Sequence, residues 1–179
     1  PIFPWSNELY QIKNEDELEK IDNVYIQDVN GVARGGIVTG YFLLTGEKSN
    51  IIVIDLDRNH GNSSINGIEE FQEFIKDLSE EDKEIIKSTF SIKTPRRGLH
   101  LYFKYKKGLK NKANYIDGVD IRTDGGLIVL PHSEVKNESV IGTYNVVNNS
   151  DILEMPQSLF DKFRELDKHE ISLKQVSND

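Results

Sequence analysis

The run Ile51-Ile52-Val53-Ile54-Asp55-Leu56-Asp57 constrains this chain more than any other stretch. Four consecutive β-branched residues predict a strand buried on both faces, since such side chains are stiff and pack well on a pleated surface. A strand of that kind belongs inside a sheet with other elements above and below it. Asp55 and Asp57 follow two residues apart, and residues i and i+2 of a strand project to the same side. Two carboxylates held together at the end of a rigid element repel unless a positive charge lies between them. A hard divalent cation suits that place, because Mg²⁺ takes oxygen ligands from one or two carboxylates plus substrate phosphates. Two solvated loop acids give the same Asp-x-Asp pattern, so its weight depends on the rest of the chain.

The formal net charge of −8 argues at first against a nucleic-acid partner. Its distribution argues the other way. From Ser91 to Ala113 there are eight basic residues (Lys93, Arg96, Arg97, Lys104, Lys106, Lys107, Lys110, Lys112) and no acid, which leaves 14 basic against 30 acidic residues elsewhere. A basic strip on an acidic body is the footprint of focused phosphate binding. Lysines also decorate hairpin edges to block edge pairing, which is the alternative reading of the lysines alone. Phe90–Lys104 reads as strand, turn, strand, with Pro95 and Gly98 in the turn. Alternation puts His100, Tyr102 and Lys104 on one face and Leu101, Phe103 and Tyr105 on the other. Arginines beside that turn give bidentate contacts to phosphate oxygens, and the turn's own N–H groups can add to an anion nest.

The third informative stretch runs from Gly118 to Ser133. Its pattern predicts a β-hairpin, Val119–Arg122 and Leu127–Leu130, joined by an Asp-Gly-Gly turn. Asp120 falls inside a β-branched strand, where an unpaired carboxylate is costly. It needs a cation, an arginine or backbone donors. Arg122 shares its face and either neutralises Asp120 or reaches a triphosphate. Asp124 is explained as a turn former and His132 as a loop residue.

The remaining segments frame these three. Trp5 lies in an extended aromatic arm, and Asn14 caps a short helix to about Ile21. Val24–Ile26 is a short strand, with turns at Asn30-Gly31 and Gly35-Gly36. Ile37-Val38-Thr39 is β-rich and ends at Gly40, before Phe42–Thr45. His60 is placed in a polar loop from Arg58. Ile68, Phe71, Phe74, Ile75 and Leu78 recur at helical spacing over Asn66–Leu78. Ser79 opens a second helix to about Lys87. A strand over Gly142–Val147 and a helix from Ser158 to about Leu166 follow, and the end from Lys168 is charged.

Taken together, three motifs resemble the primase–polymerase domain of plasmid and phage replication proteins, in the archaeo-eukaryotic primase superfamily. They are the hydrophobic strand ending in Asp55-x-Asp57, then Thr94-Pro95-Arg96-Arg97-Gly98-Leu99-His100-Leu101-Tyr102-Phe103, then Gly118-Val119-Asp120-Ile121-Arg122 with Gly125-Gly126 and Pro131-x-Ser133. The family's Asp-x-Asp/Glu, small residue-x-His and hydrophobic-Asp motifs appear in that order. Ile37–Gly40 also looks like the family, and the likeness spans Ile37 to Ser133. One departure is Arg97, where many relatives carry glycine.

The resemblance implies an α+β fold: an RRM-like antiparallel sheet as catalytic core, flanking helices and a smaller N-terminal αβ part. It implies a DNA primase/polymerase that transfers nucleotides from dNTPs or NTPs onto a single-stranded or primed DNA template, with a helicase domain or protein as a possible companion. Asp55, Asp57 and Asp120 would be the catalytic metal ligands for two Mg²⁺ or Mn²⁺ ions. His100, with Arg96, Arg97, Lys93 or Arg122, would hold the triphosphate. Lys104, Lys106, Lys107, Lys110 and Lys112 would follow the template backbone.

At 179 residues the chain is expected to form one catalytic domain over residues 1–167, with 168–179 as a polar tail or linker. It begins at Pro1, as a domain excised from a longer replication protein would. No window approaches the roughly 20 apolar residues of a membrane span. Zero cysteines exclude disulfides and Cys-ligated metal sites, and fit a reducing cytoplasm. Two other classes use part of the pattern. A metal-dependent nucleotide-sugar glycosyltransferase has the Asp-x-Asp, but gives no reason for the Gly-x-His element or the third Asp. A non-catalytic DNA-binding replication module needs the basic strip, but not three convergent carboxylates.

Overall fold

Strand β3 (Ile51–Leu56) lies within a six-stranded antiparallel sheet and is hydrogen-bonded along both edges. The computed structural model describes residues 2–5, 40–58, 64–136 and 140–176. Its other strands are β1 (Ile2–Trp5), β2 (Gly40–Leu44), β4 (Ser91–Lys93), β5 (Leu99–Lys104), β6 (Lys112–Ile116), β7 (Val119–Arg122), β8 (Leu127–Val129), β9 (Glu134–Lys136), β10 (Ile141–Thr143) and β11 (Asn145–Asn148). Three helices accompany them among the described residues: α1 (Gly67–Phe74), α2 (Glu80–Ser88) and α3 (Gln157–Val176). The class is α+β, as expected.

The sheet order is β11-β4-β5-β3-β7-β6. Its middle four strands repeat the RRM arrangement. Strand β3 leads through α1 and α2 to β4, and β5 then returns between β4 and β3, which is a split β-α-β unit. The strand on the far side of β3 is β7, reached from β5 through β6 with no helix between. Helix α1 packs against β7, β3 and β6, and α3, from the end of the chain, joins the same layer. Leu159, Phe160 and Phe163 of α3 join Phe71, Ile75 and Ile86 of the α1–α2 region against Ile52, Ile54, Leu56, Leu101, Phe103 and Ile121. Fully burying each large aliphatic or aromatic side chain stabilises by about 1.5–3 kcal/mol, so this layer fixes the sheet from one side.

The opposite face of the sheet carries the alternate residues. Val53, Tyr102 and Ile92 pack there against Phe42, Leu43 and Leu44 of β2 and Leu127, Ile128 and Val129 of β8. Strands β1, β2 and β8 form a separate three-stranded sheet. Thus β3 is covered on both faces, which is what its unbroken apolar run demands.

Five local expectations are revised. The predicted hairpin between Val119–Arg122 and Leu127–Leu130 does not form. Both edges of β7 are taken by β3 and β6, and β8 pairs with β2 instead. The Asp-Gly-Gly turn is where the chain crosses from one sheet to the other, tied down by Thr45, whose N–H donates to the Gly126 carbonyl at 2.9 Å and whose hydroxyl donates to the Thr123 carbonyl at 2.8 Å. The predicted strand over Gly142–Val147 is divided at Tyr144, with β10 pairing β9 and β11 pairing β4. The first helix ends at Phe74 and passes through a turn before Ser79, whose hydroxyl caps the second by accepting the Asp82 N–H at 3.1 Å. Helix α3 continues past Leu166 to Val176, through the expected start of the polar tail. No proline or glycine interrupts that stretch, and charged residues of this kind tolerate helix well. Strand β3 itself ends at Leu56, one residue short of Asp57.

The expected helix near Asn14–Ile21, the strand at Val24–Ile26, the turns at Asn30-Gly31 and Gly35-Gly36, the Ile37–Thr39 segment and His60 lie outside the described residues. Among those described, no helix is long and apolar enough to cross a membrane.

A backbone junction closes the C-terminal end of β3. The Asp57 N–H donates to the Gly118 carbonyl and the Gly67 N–H donates to the Asp57 carbonyl, both at 2.8 Å. A Cβ on Gly67 would stand 2.0 Å from the Gly118 oxygen. Gly67→Ala must therefore push apart two backbone segments. It is expected to destabilise the fold by about 1–3 kcal/mol, read as a lowered denaturant midpoint, while Glu70→Ala on the exposed side of α1 leaves the midpoint nearly unchanged.

Candidate active site

Register brings three of the expected residues into one line. Asp55 pairs with His100 on β5 and with Asp120 on β7, so the three lie side by side across neighbouring strands. The alternation that buries Ile54, Leu101 and Ile121 under the helices turns His100, Asp55 and Asp120 to the other face. His100 Nε2 lies 3.3 Å from Asp55 Oδ1. His100 and Asp120 are buried, and the Asp55 side chain is 13 % exposed.

Asp57 joins them from just beyond the strand. The junction with Gly118 and Gly67 fixes its backbone, and Gly118 adopts φ 70°, a left-handed conformation that glycine takes without a Cβ penalty. Asp55, Asp57 and Asp120 each offer a carboxylate oxygen, and these oxygens lie within 4.8 Å of one another. Three hard oxygen donors in that space fit a divalent cation such as Mg²⁺ or Mn²⁺, and fit a thiophilic metal poorly.

Positive groups close the arrangement. Arg122 projects from β7 on the same face as Asp120, its Nη2 2.5 Å from Asp120 Oδ2 and its Nε 4.0 Å from Asp55 Oδ2. Asp120 Oδ1 accepts the Asn114 backbone N–H at 2.8 Å. The cost of burying Asp120 is thus met by an arginine and by a backbone donor together. Tyr102, one pleat from His100 on β5, is buried. That burial, reinforced by the Asp55 carboxylate, holds its hydroxyl well above the ordinary tyrosine range. The His100 ring lies between Tyr102 and Tyr144, with centroids 6.4 Å and 5.6 Å away.

These groups line a cleft of about 850 Å³ between the two sheets. Its polar end holds Asp55, Asp57, His100, Asp120, Arg122 and Arg96; its other wall is apolar, built from Phe42, Ile128, Val129 and Val135. Arg96 is presented by a tight turn. Thr94 N–H donates to the Gly98 carbonyl at 3.0 Å, Arg97 N–H to the Thr94 carbonyl at 2.9 Å, and Gly98 N–H to the Thr94 hydroxyl at 2.9 Å. A Cβ on Gly98 would lie 2.3 Å from the Leu56 carbonyl oxygen, so the turn rests directly against the end of β3.

The other expected residues fall elsewhere. Lys93 and Arg97 are exposed and do not line the cleft. Three of the strip lysines reach toward α3 and the segment before it. Lys104 lies 3.4 Å from Glu154, Lys106 bonds Gln157 and covers the Phe160 ring at 4.8 Å, and Lys110 lies 3.7 Å from Asp167. Lys112 lies over the Tyr115 ring, and Lys107 is exposed. Asp124 serves its turn, accepting the Glu47 N–H at 2.8 Å and the Tyr105 hydroxyl at 2.6 Å. His132 is exposed, with φ 66°. Sequence reasoning missed Asn114, whose only signal is an asparagine six residues before an awkwardly buried Asp, and the ring of Tyr144 beside His100.

Comparison with known families decides what this cleft belongs to. A family model described as bifunctional DNA primase/polymerase, N-terminal (Prim-Pol), matches residues 20–158, which is more than half of the chain. The chain belongs to the Prim-Pol family. The resemblance carried by the three motifs is therefore borne out, and the enzyme class is nucleotidyltransferase. No curated protein matches the chain. The match takes in all three acids, His100, the arginine turn and the lysine strip. The glycosyltransferase and non-catalytic readings have no comparable support.

One departure from the Prim-Pol pattern now has a physical meaning. Arg97 has φ 69°, in the left-handed region that costs a non-glycine residue about 1–2 kcal/mol. Arg97→Gly removes that strain and loses no buried contact, against a glycine entropy cost of about 0.5–1 kcal/mol. The expected outcome is a melting temperature equal to or a few degrees above wild type. A clear fall would mean that the exposed guanidinium holds the turn.

Proposed function

We propose that this Prim-Pol chain is a template-directed DNA primase/polymerase of plasmid or phage type replication, working with two divalent ions. The observation that carries the reading is the convergence of Asp55, Asp57 and Asp120 in a cleft that also holds His100, Arg96 and Arg122. Bound there, Mg²⁺ or Mn²⁺ would lower the pKa of a primer 3′-hydroxyl and neutralise charge on the reacting phosphates.

The chain's own residues do the rest. The three carboxylates are held by β-sheet register and by the glycine junction, so the ligand set is pre-formed. Arg96 and His100, with Arg122, line the same cleft and would hold the triphosphate; Lys93 and Arg97, exposed near the turn, would add to the attraction from outside. Donors that contact charge developing during transfer lower the barrier, whereas those that hold only the ground state lower KM. The apolar wall would exclude water and receive the uncharged part of the nucleotide. Lys104, Lys106, Lys107, Lys110 and Lys112 lie along β5, β6 and the face of α3, and would follow a single-stranded or primed DNA template.

The test is extension of a primed template with dNTPs or NTPs and Mn²⁺. Wild type is expected to incorporate nucleotides, and Asp55→Ala and His100→Ala each to lose about a hundredfold or more in rate. Incorporation unaffected by Asp55→Ala sinks the site, and none by wild type across several metals sinks the reaction. Template binding should fall steeply with salt. Lys107→Ala should flatten the slope of log K against log salt by about 0.7 if it contacts one phosphate of a single strand, and leave it unchanged if it does not.

A further inference from the structure

The two oxygens of Asp120 have different neighbours. Oδ1 accepts the Asn114 N–H at 2.8 Å. That donor reaches it because β6 shifts register between Lys112 and Ile116, where Asn114 takes φ 53°. Asparagine tolerates this left-handed conformation better than most residues. Its side-chain oxygen in turn accepts the Gly118 N–H at 3.3 Å, which ties the bulge to the turn that fixes Asp57. One Asp120 oxygen therefore serves the backbone, and a cation drawn to this carboxylate meets Oδ2 as the other ligand atom.

Oδ2 is also the oxygen that Arg122 holds, at 2.5 Å, with the same guanidinium 4.0 Å from Asp55 Oδ2. A Mg²⁺ ligand distance is about 2.0–2.1 Å. A guanidinium and a divalent ion on one carboxylate oxygen would bring like charges within a few ångströms of each other in a partly buried site. They compete for the same atoms. Arg122 lines the cleft together with Arg96, so a guanidinium that leaves Oδ2 remains inside it.

We propose that Arg122 is the resident competitor of the cation. It neutralises Asp120 and Asp55 until a divalent ion takes Oδ2, and then turns within the cleft toward the nucleotide's phosphates. The inference rests on reading the three carboxylates as a metal site. Its consequence is that the arginine lowers the affinity for free metal, and that loading of metal and capture of triphosphate are linked through one side chain.

The experiment is Mn²⁺ binding to the chain by calorimetry without nucleotide, for wild type, Arg122→Gln, Arg122→Lys and Asp55→Asn, with melting curves in EDTA and in Mn²⁺. Charge-assisted hydrogen bonds of this kind translate into about ten- to a hundredfold in an equilibrium constant. Arg122→Gln is expected to bind Mn²⁺ tighter by that factor, to melt below wild type in EDTA, and to gain more from Mn²⁺. Arg122→Lys, which keeps the charge and loses the fork, is expected to fall between, and decides the matter if the Gln variant does not fold. Equal or weaker Mn²⁺ affinity in the folded Arg122 variants, with binding abolished by Asp55→Asn, overturns the competition and leaves the metal site standing. Mn²⁺ binding that is absent in wild type, or untouched by Asp55→Asn, overturns the metal site and this inference with it.

Discussion

Three like charges within 4.8 Å of one another are the condition that the rest of this structure has to satisfy. At an effective dielectric near 20, each pair of full charges at that distance costs about 3 kcal/mol. Nothing about a carboxylate alone would keep such a cluster together. The cluster persists because its backbone is fixed from outside: by ladder hydrogen bonds on both edges of β3, by the apolar layer under the helices, and by the Asp57–Gly118–Gly67 junction. Arg122 and the Asn114 N–H then compensate the charge locally. Chemistry at this site depends on packing that lies on the other face of the sheet.

Much of this was legible in the sequence. The run Ile51–Ile54 read as a doubly covered strand, which it is, and the spacing of Asp55 and Asp57 pointed to one shared site, although Asp57 is held there by the glycine junction beyond the strand. Alternation along Leu99–Lys104 correctly separated His100 and Tyr102 from Leu101 and Phe103. Asp120 was flagged because a lone charge in a β-branched strand demands a partner, and its partners among the described residues include an arginine and a main-chain donor. These inferences succeeded because each rests on a constraint local to a few residues.

What failed to show was partner choice. The Asp-Gly-Gly turn after Arg122 has the chemistry of a hairpin, but turn chemistry does not say which strand will pair with the one that follows. Strand β7 had both edges filled, so β8 crossed to β2. The lysine strip could be counted, yet not folded: Glu154, Gln157 and Asp167 lie far along the chain and meet Lys104, Lys106 and Lys110 only once α3 has docked. Asn114 was invisible for the same reason, since its role is exercised by a backbone N–H that every residue but proline possesses.

The cleft has two walls of different construction. One is the central sheet, in which Asp55, Asp120 and His100 are locked by register; the other is the small sheet with β9 and its neighbours, joined to the first by apolar contact and a few turn hydrogen bonds. Phe42, Ile128 and Val129 shape that space from a wall that carries none of the three carboxylates. The shape of the space and the charge within it are thus written in different parts of the chain.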